Sequence, residues 1–289
     1  VSSEPATGDS SVETGVVTVD GTTLAYRTAG CGHPLVFLHA GIADSRLWDR
    51  QLERFADDYR VVAYDLRGYG ESSLPDEPYA HHRDLGRVLD SLGVEAAHLV
   101  GASMGGAVAV DFALTAPERI TSLTLVAPAL GGYRFTDDAT HEGWEAAGAA
   151  FEAGDFGRAA TIESDLWLAG PDRTLDDVDE DVRALVRSML LQSYEHQHHE
   201  PPETSLDPPA IHRLADLRVP VLLVSGALDR PDMDAIAARI EADAPSVKRE
   251  VVDDAAHLPS LERPSAFDRL LHDFLDGVSA QNGRKRVEK

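Results

Sequence analysis

One serine stands between two apolar runs in "HLVGASMGGAVAV", residues 98–110. Ser103 has Gly101 two positions before it and Gly105 two positions after, with Gly106 next. Small residues at those positions let a strand and a helix pass so closely that no side chain fits between them. The G-x-S-x-G pattern is such a turn, and it lifts the serine hydroxyl above the end of a sheet. Neither G-x-x-x-x-G-K-[ST] nor G-x-G-x-x-G occurs here, so the turn is not read as a phosphate cradle. A serine hydroxyl is nearly inert until a base takes its proton, so nucleophilic chemistry needs a histidine and a group that orients it. Of the twelve histidines, His257 in "DDAAHLPSLERP" follows the last predicted strand. Asp229 in "VLLVSGALDRP" follows the strand before it, with a helix cap ahead of Pro231 as its plainer role and Asp232 as a rival for the orienting acid. The chain order Ser103, Asp229, His257 differs from the two common protease orders. His39 and His98 read as structural. The stretch "HQHH", residues 196–199, is followed by two prolines and no organising acid pattern, and reads as a solvated loop rather than a metal site. No metal or cofactor is expected, because such a serine is activated by its own neighbours.

These residues need a scaffold, and the hydrophobic pattern supplies one. "VVTVDGTTLAYR" reads as a hairpin turning at Asp20-Gly21. "LVFLH", "YRVVAYD", "AAHLVGA", "ITSLTLVAP", "VPVLLVSG" and "KREVV" are apolar or strand-like runs separated by helical patterns such as "SRLWDRQLERFA" and "HHRDLGRVLDSLG". Continuous apolar strands alternating with helices predict a parallel sheet buried on both faces, an α/β fold. The alternation breaks over residues 131–207, where helical stretches and four large aromatics, Trp144, Phe151, Phe156 and Trp167, occur without a convincing buried strand. That segment reads as a helical insertion. The expected organisation is a disordered segment at 1–11, a core of 12–130 and 208–276, the insertion at 131–207, and a flexible tail at 277–289.

A formal charge of −24, from 50 acidic against 26 basic residues, repels polyanions, so no nucleic-acid partner is expected. No run reaches the roughly 18 apolar residues of a membrane-spanning helix. The single cysteine, Cys31, leaves no intramolecular disulfide and no thiolate cluster. With no signal-peptide profile at the N-terminal end, a cytoplasmic location is expected. Oligomeric state has no reliable handle in the sequence; a monomer or weak homodimer is the expectation.

Taken together, the chain resembles the α/β-hydrolase family from residue 12 to residue 276. "FLHAG" is similar to that family's His-Gly turn after its third strand, with Ala40 where glycine is usual, and "DLRGYGES" is similar to its D-x-R-G-x-G-x-S loop. "HLVGASMGG" matches its nucleophile turn, and the 131–207 insertion sits where the family carries a helical cap after the sixth strand of a mostly parallel eight-stranded sheet. The resemblance implies Ser103 as nucleophile, His257 as base, Asp229 as its orienting acid, and no cofactor. It implies an oxyanion site from the backbone N–H of Met104 and one from the turn after His39, Gly41 or Ile42. It implies a small-molecule ester or lactone as substrate, with Ile42, Trp144 and Trp167 as substrate contacts. "DLWLAGP" is similar to caps near the enol-lactonases, which makes Arg134, Arg158 and Arg173 candidates to meet a substrate carboxylate. Lyases, carbon–carbon hydrolases, perhydrolases and ligand sensors share this fold, and fold alone does not choose among them.

Overall fold

The computed structural model describes residues 11–75, 77–196 and 203–287, with side chains described as far as residue 280. Residues 1–10, and Gln197, His198 and His199 of the histidine-rich stretch, lie outside the described residues.

The hairpin forms where the sequence places it. β1 (Glu13–Val19) and β2 (Thr22–Ala29) pair antiparallel, and the two-residue turn puts Asp20 at φ 49° and Gly21 at φ 77°. Positive φ at both turn residues matches the natural twist of the strands they join. Six further strands complete the sheet: β3 (His33–Leu38), β4 (Tyr59–Tyr64), β5 (Ala97–Ala102), β6 (Ile120–Val126), β7 (Val221–Gly226) and β8 (Val247–Val252). Their order across the sheet is β1-β2-β4-β3-β5-β6-β7-β8, with β2 antiparallel to β4 and every pair from β4 to β8 parallel. The eight-stranded, mostly parallel sheet matches the expected architecture. β3 starts two residues earlier than the apolar run, because His33 and Pro34 pair with Tyr59 and Arg60 before the chain is fully buried.

Helices cover both faces, as buried parallel strands require. They are α1 (Asp49–Phe55), α2 (His81–Ser91), α3 (Met104–Thr115), α7 (Pro231–Asp243), the short α8 (Pro259–Glu262) and α9 (Pro264–Val287). Between β6 and β7 lie α4 (Asp138–Glu152), α5 (Phe156–Ser164) and α6 (Glu180–His196), with a π-helical turn at Asp165–Ala169 after α5. The closing helix differs from its expected end. α9 continues through Val287, across most of the stretch that composition assigns to a flexible tail. No proline stops it, and Gly277 faces open space, a position where glycine costs a helix only about 1 kcal/mol.

The loop "DLRGYGES" acts as a brace. Asp65 accepts from the backbone N–H of Ser45 at 2.7 Å and of Glu71 at 2.9 Å, and Ser72 Oγ donates to the Asp65 carbonyl at 2.6 Å. Arg67 is buried in a bidentate pair with Asp84 of α2, at 2.5 and 2.9 Å. Its glycines are conformational requirements: Gly70 has φ 52°, and a Cβ there would meet the Asp65 carboxylate at 2.3 Å. Among the described residues no helix is long and apolar enough to cross a membrane.

Candidate active site

Parallel strands share a direction, so the loops that follow β3, β5, β7 and β8 all open at one edge of the sheet, where ligands of α/β proteins bind. Ser103 follows β5 and opens α3. Its backbone takes φ 49°, ψ −113°, a strained conformation for a residue with a side chain. The surroundings hold it there. Ser103 N–H donates to Val126 O at 2.9 Å, its own carbonyl accepts from Ala129 N–H at 2.9 Å and Gly106 N–H at 2.9 Å, and Gly105 N–H donates to His39 O at 3.0 Å. The glycines are there because backbone lies against backbone. A Cβ on Gly101 would sit 2.3 Å from Gly105 O, and one on Gly105 would sit 2.5 Å from Leu38 O. Neither neighbour is a flexible side chain that can turn aside. Gly105→Ala is therefore expected to lower unfolding free energy by about 1–3 kcal/mol, as overpacking does, and to push the turn after β3 away from Ser103. Urea unfolding followed by circular dichroism checks the first effect, and a midpoint equal to wild type would refute it.

His257 and Asp229 come together from the ends of β8 and β7. His257 Nδ1 lies 3.0 Å from Asp229 Oδ2 and 3.2 Å from Oδ1, and both side chains are buried. Asp229 Oδ1 also accepts from Arg230 N–H at 2.8 Å, which fixes the carboxylate plane. Close approach again needs glycine: a Cβ on Gly226 would meet Ala256 O at 2.0 Å. Of Asp229 and Asp232, it is Asp229 that lies against His257. Asp232 is spent elsewhere, accepting from Tyr133 Oη, Thr136 N–H and Oγ1, and Asp137 N–H at 2.7–2.9 Å. Arg230 pairs with Asp137 on the same segment.

Two side chains hold the histidine loop, Glu262, which sequence reasoning missed, and Arg173, which it assigned to another role. Glu262 in α8 accepts from Ala256 N–H at 2.9 Å, and its other oxygen pairs with Arg173 at 2.8 Å. Arg173 in turn donates to Leu168 O at 2.7 Å and Ala169 O at 3.2 Å, tying the π-helical turn to the same loop. That turn ends at Gly170, φ 71°, where a Cβ would meet Leu228 O at 2.2 Å. It places Trp167 over the His257 ring, with centroids 4.4 Å apart and planes inclined by 36°. A charged residue engaged in this way looks like any solvated glutamate in the sequence, and no periodicity marks it.

A cavity of about 260 Å³ opens between this edge and the insertion. Ser103 and His257 both line it, as do Gly41, Ile42, Met104, Trp144 and Trp167. The turn after β3 runs alongside the start of α3, since a Cβ on Gly41 would lie 3.9 Å from Met104 Cβ. Among the described residues, the backbone N–H groups of Gly41, Ile42 and Met104 have no hydrogen-bond partner. Ala129, Phe135, Met233 and Glu163 complete the wall. Burial pushes the Glu163 carboxyl up to about 7, partly offset by Tyr194 beside it.

The other singled-out residues fall outside the cavity. Phe151 and Phe156 stack with each other and with Tyr194, inside the insertion. Arg134 and Arg158 are exposed, Arg173 is committed to Glu262, and none of the three borders the cavity, so the expectation that they meet a substrate carboxylate is not met. His39 is structural: Nε2 accepts from Leu66 N–H at 2.9 Å and Nδ1 donates to Ala40 O at 2.8 Å, with burial holding its pKa below the usual range. His98 is buried against Ser122 Oγ at 2.7 Å, and burial lowers its pKa to about 4. A larger groove of about 580 Å³ lies beside β1 and β2, but its arginines are paired, Arg46 with Asp44 and Arg27 with Asp49, and it holds neither Ser103 nor His257.

A mostly parallel sheet flanked by helices, with a strained serine and a carboxylate-held histidine at the carboxyl ends of its strands, defines a protein class. The chain belongs to the alpha/beta hydrolase fold family, whose model matches residues 33–264. It is 29% identical over 256 residues to the carboxylesterase YbfK of Bacillus subtilis, a match that covers 84% of this chain and 80% of that protein. It is 24% identical over 247 residues to 3-oxoadipate enol-lactonase 1 of Acinetobacter baylyi, covering 84% of this chain and 89% of the other. The solved structure of Est816, an N-acyl homoserine lactone degrading enzyme, aligns with a TM-score of 0.71 at 26% identity, over 90% of this chain and 100% of that one.

Proposed function

We propose that the protein is a serine hydrolase that cleaves a small carboxylic ester or lactone through an acyl-serine intermediate. The observation that carries the reading is that His257, held from behind by the buried Asp229, lines the same cavity as a serine at positive φ. Asp229 accepts a hydrogen bond from Nδ1–H and so keeps that proton on Nδ1, which leaves Nε2 with its lone pair free to act as a base. Ser103 Oγ attacks the carbonyl carbon as His257 takes its proton. The carbonyl oxygen becomes an oxyanion, and the N–H groups of Met104 and Gly41, with Ile42 next to it, stand unpaired beside Ser103 to receive it. Collapse expels the alcohol, which receives the proton from His257. Water then attacks the acyl-serine by the same route in reverse order, and the acid leaves. In this reading the insertion serves as a cap that roofs the cavity with Trp144 and Trp167 and keeps it largely apolar, which strengthens each charge interaction within. Relatives named as a carboxylesterase and a lactonase support the same bond type.

A fluorophosphonate probe tests the nucleophile. Intact-mass spectra of the wild type are expected to show one adduct, mapping to the peptide that carries Ser103, and Ser103→Ala is expected to show none. An adduct on another residue, or ester turnover with no adduct at all, would remove Ser103 from the mechanism.

A further inference from the structure

Among the described residues, the cavity beside Ser103 is lined by one ionisable side chain besides His257, and it is an acid. Glu163 projects from α5 into a wall otherwise built from apolar groups, Phe135, Trp144 and Trp167 among them. Among the described residues no lysine or arginine lines that space. The aromatic rings are close-set: Phe135 and Trp144 have centroids 4.9 Å apart, and Trp144 and Trp167 6.2 Å apart. A carboxylate among aromatic faces is the chemistry that receives a cationic nitrogen, through direct charge attraction and through the negative faces of the rings. A substrate carboxylate, by contrast, would find no cationic partner among the side chains that line this wall, and burying it unpaired is costly.

We infer that Glu163 is a specificity-determining residue that favours esters bearing a cationic nitrogen over those bearing a carboxylate. The inference rests on the serine-hydrolase reading and names its substrate class. In keeping with it, Arg134, Arg158 and Arg173 of the insertion stay out of the cavity and offer a second substrate carboxylate no partner there. Burial keeps the carboxyl near neutrality, at about 7, so an incoming cation draws it fully into the charged form. Tyr194 of α6 lies beside it, its phenol pushed up by burial and by the Glu163 charge.

Three ethyl esters of matched length test this: ethyl γ-(trimethylammonio)butyrate, its carbon isostere with a tert-butyl group in place of the ammonium, and monoethyl glutarate. For the wild type, kcat/KM is expected to fall in that order, with the ammonium ester ahead of the glutarate by about tenfold or more. Glu163→Gln is expected to shrink that ratio by about tenfold, mainly through KM, while Glu163→Asp keeps the order. The wild-type order is a test that needs no variant to fold. Glutarate turnover as fast as the isostere's, or a ratio unchanged in Glu163→Gln, would overturn the assignment of Glu163. Turnover of none of the three with Ser103 still labelled by fluorophosphonate would overturn the substrate class alone. No turnover and no label would overturn the hydrolase reading with it.

Discussion

Ser103→Ala is expected to lower kcat/KM for ester hydrolysis by about ten-thousand-fold or more, with little change in the urea midpoint. Alanine keeps the Cβ, so the close contacts around Gly101 and Gly105 are undisturbed and the strained backbone stays where its hydrogen bonds to Val126 and Ala129 hold it. Only the oxygen of the proposed nucleophile is lost. What activity remains would come from the unpaired N–H groups of Gly41 and Met104 stabilising a developing oxyanion, and from His257 acting on water. Steady-state kinetics on an ester that wild type turns over well, with the variant purified from a host free of its own esterases, gives the comparison. Residual activity within tenfold of wild type would mean that another group attacks.

Asp229→Asn is expected to cost about ten-thousand-fold in kcat at neutral pH, nearly as much, for a different reason. Asp229 Oδ1 accepts from Arg230 N–H, and that bond needs an oxygen. An asparagine there keeps its carbonyl on Arg230 and turns its NH₂ toward His257 Nδ1, where Oδ2 now sits at 3.0 Å. The amide then donates to Nδ1, so the ring proton moves to Nε2 and the base has no lone pair to offer. Asp232→Asn makes the contrast. Asp232 carries the turn at Tyr133 to Asp137, so its change is expected to cost about 1–3 kcal/mol of stability with kcat within a few fold of wild type. Parallel kinetics and urea unfolding on the two variants separate them. The proposed role of Asp229 fails if its variant keeps kcat and Asp232→Asn loses it.

The fold is legible because its determinants are local. Apolar runs such as "LVFLH" and "HLVGA" separated by helical spacing say parallel sheet, and Asp20-Gly21 says hairpin. The end of α9 is missed for the same reason: the pattern weakens after Leu275, yet helix propagation needs no apolar face once begun and meets no proline. The serine turn is legible because backbone crowding demands glycine at Gly101 and Gly105, a demand written in residue type. Arg134, Arg158 and Arg173 are misread, since an arginine's charge says nothing about which way its long side chain turns.

Sequence alone determined the strands, the strained turn at Ser103, and the short list of side chains at the ends of β5, β7 and β8, because periodicity and turn chemistry act over a few neighbouring residues. Tertiary structure alone decided that Asp229 rather than Asp232 meets His257, that Arg173 and Glu262 brace the histidine loop, and that Glu163 faces the cavity. Those outcomes depend on where chain segments far apart in sequence come to rest against one another, and a carboxylate has the same composition whether it faces water, a backbone turn or a buried ring.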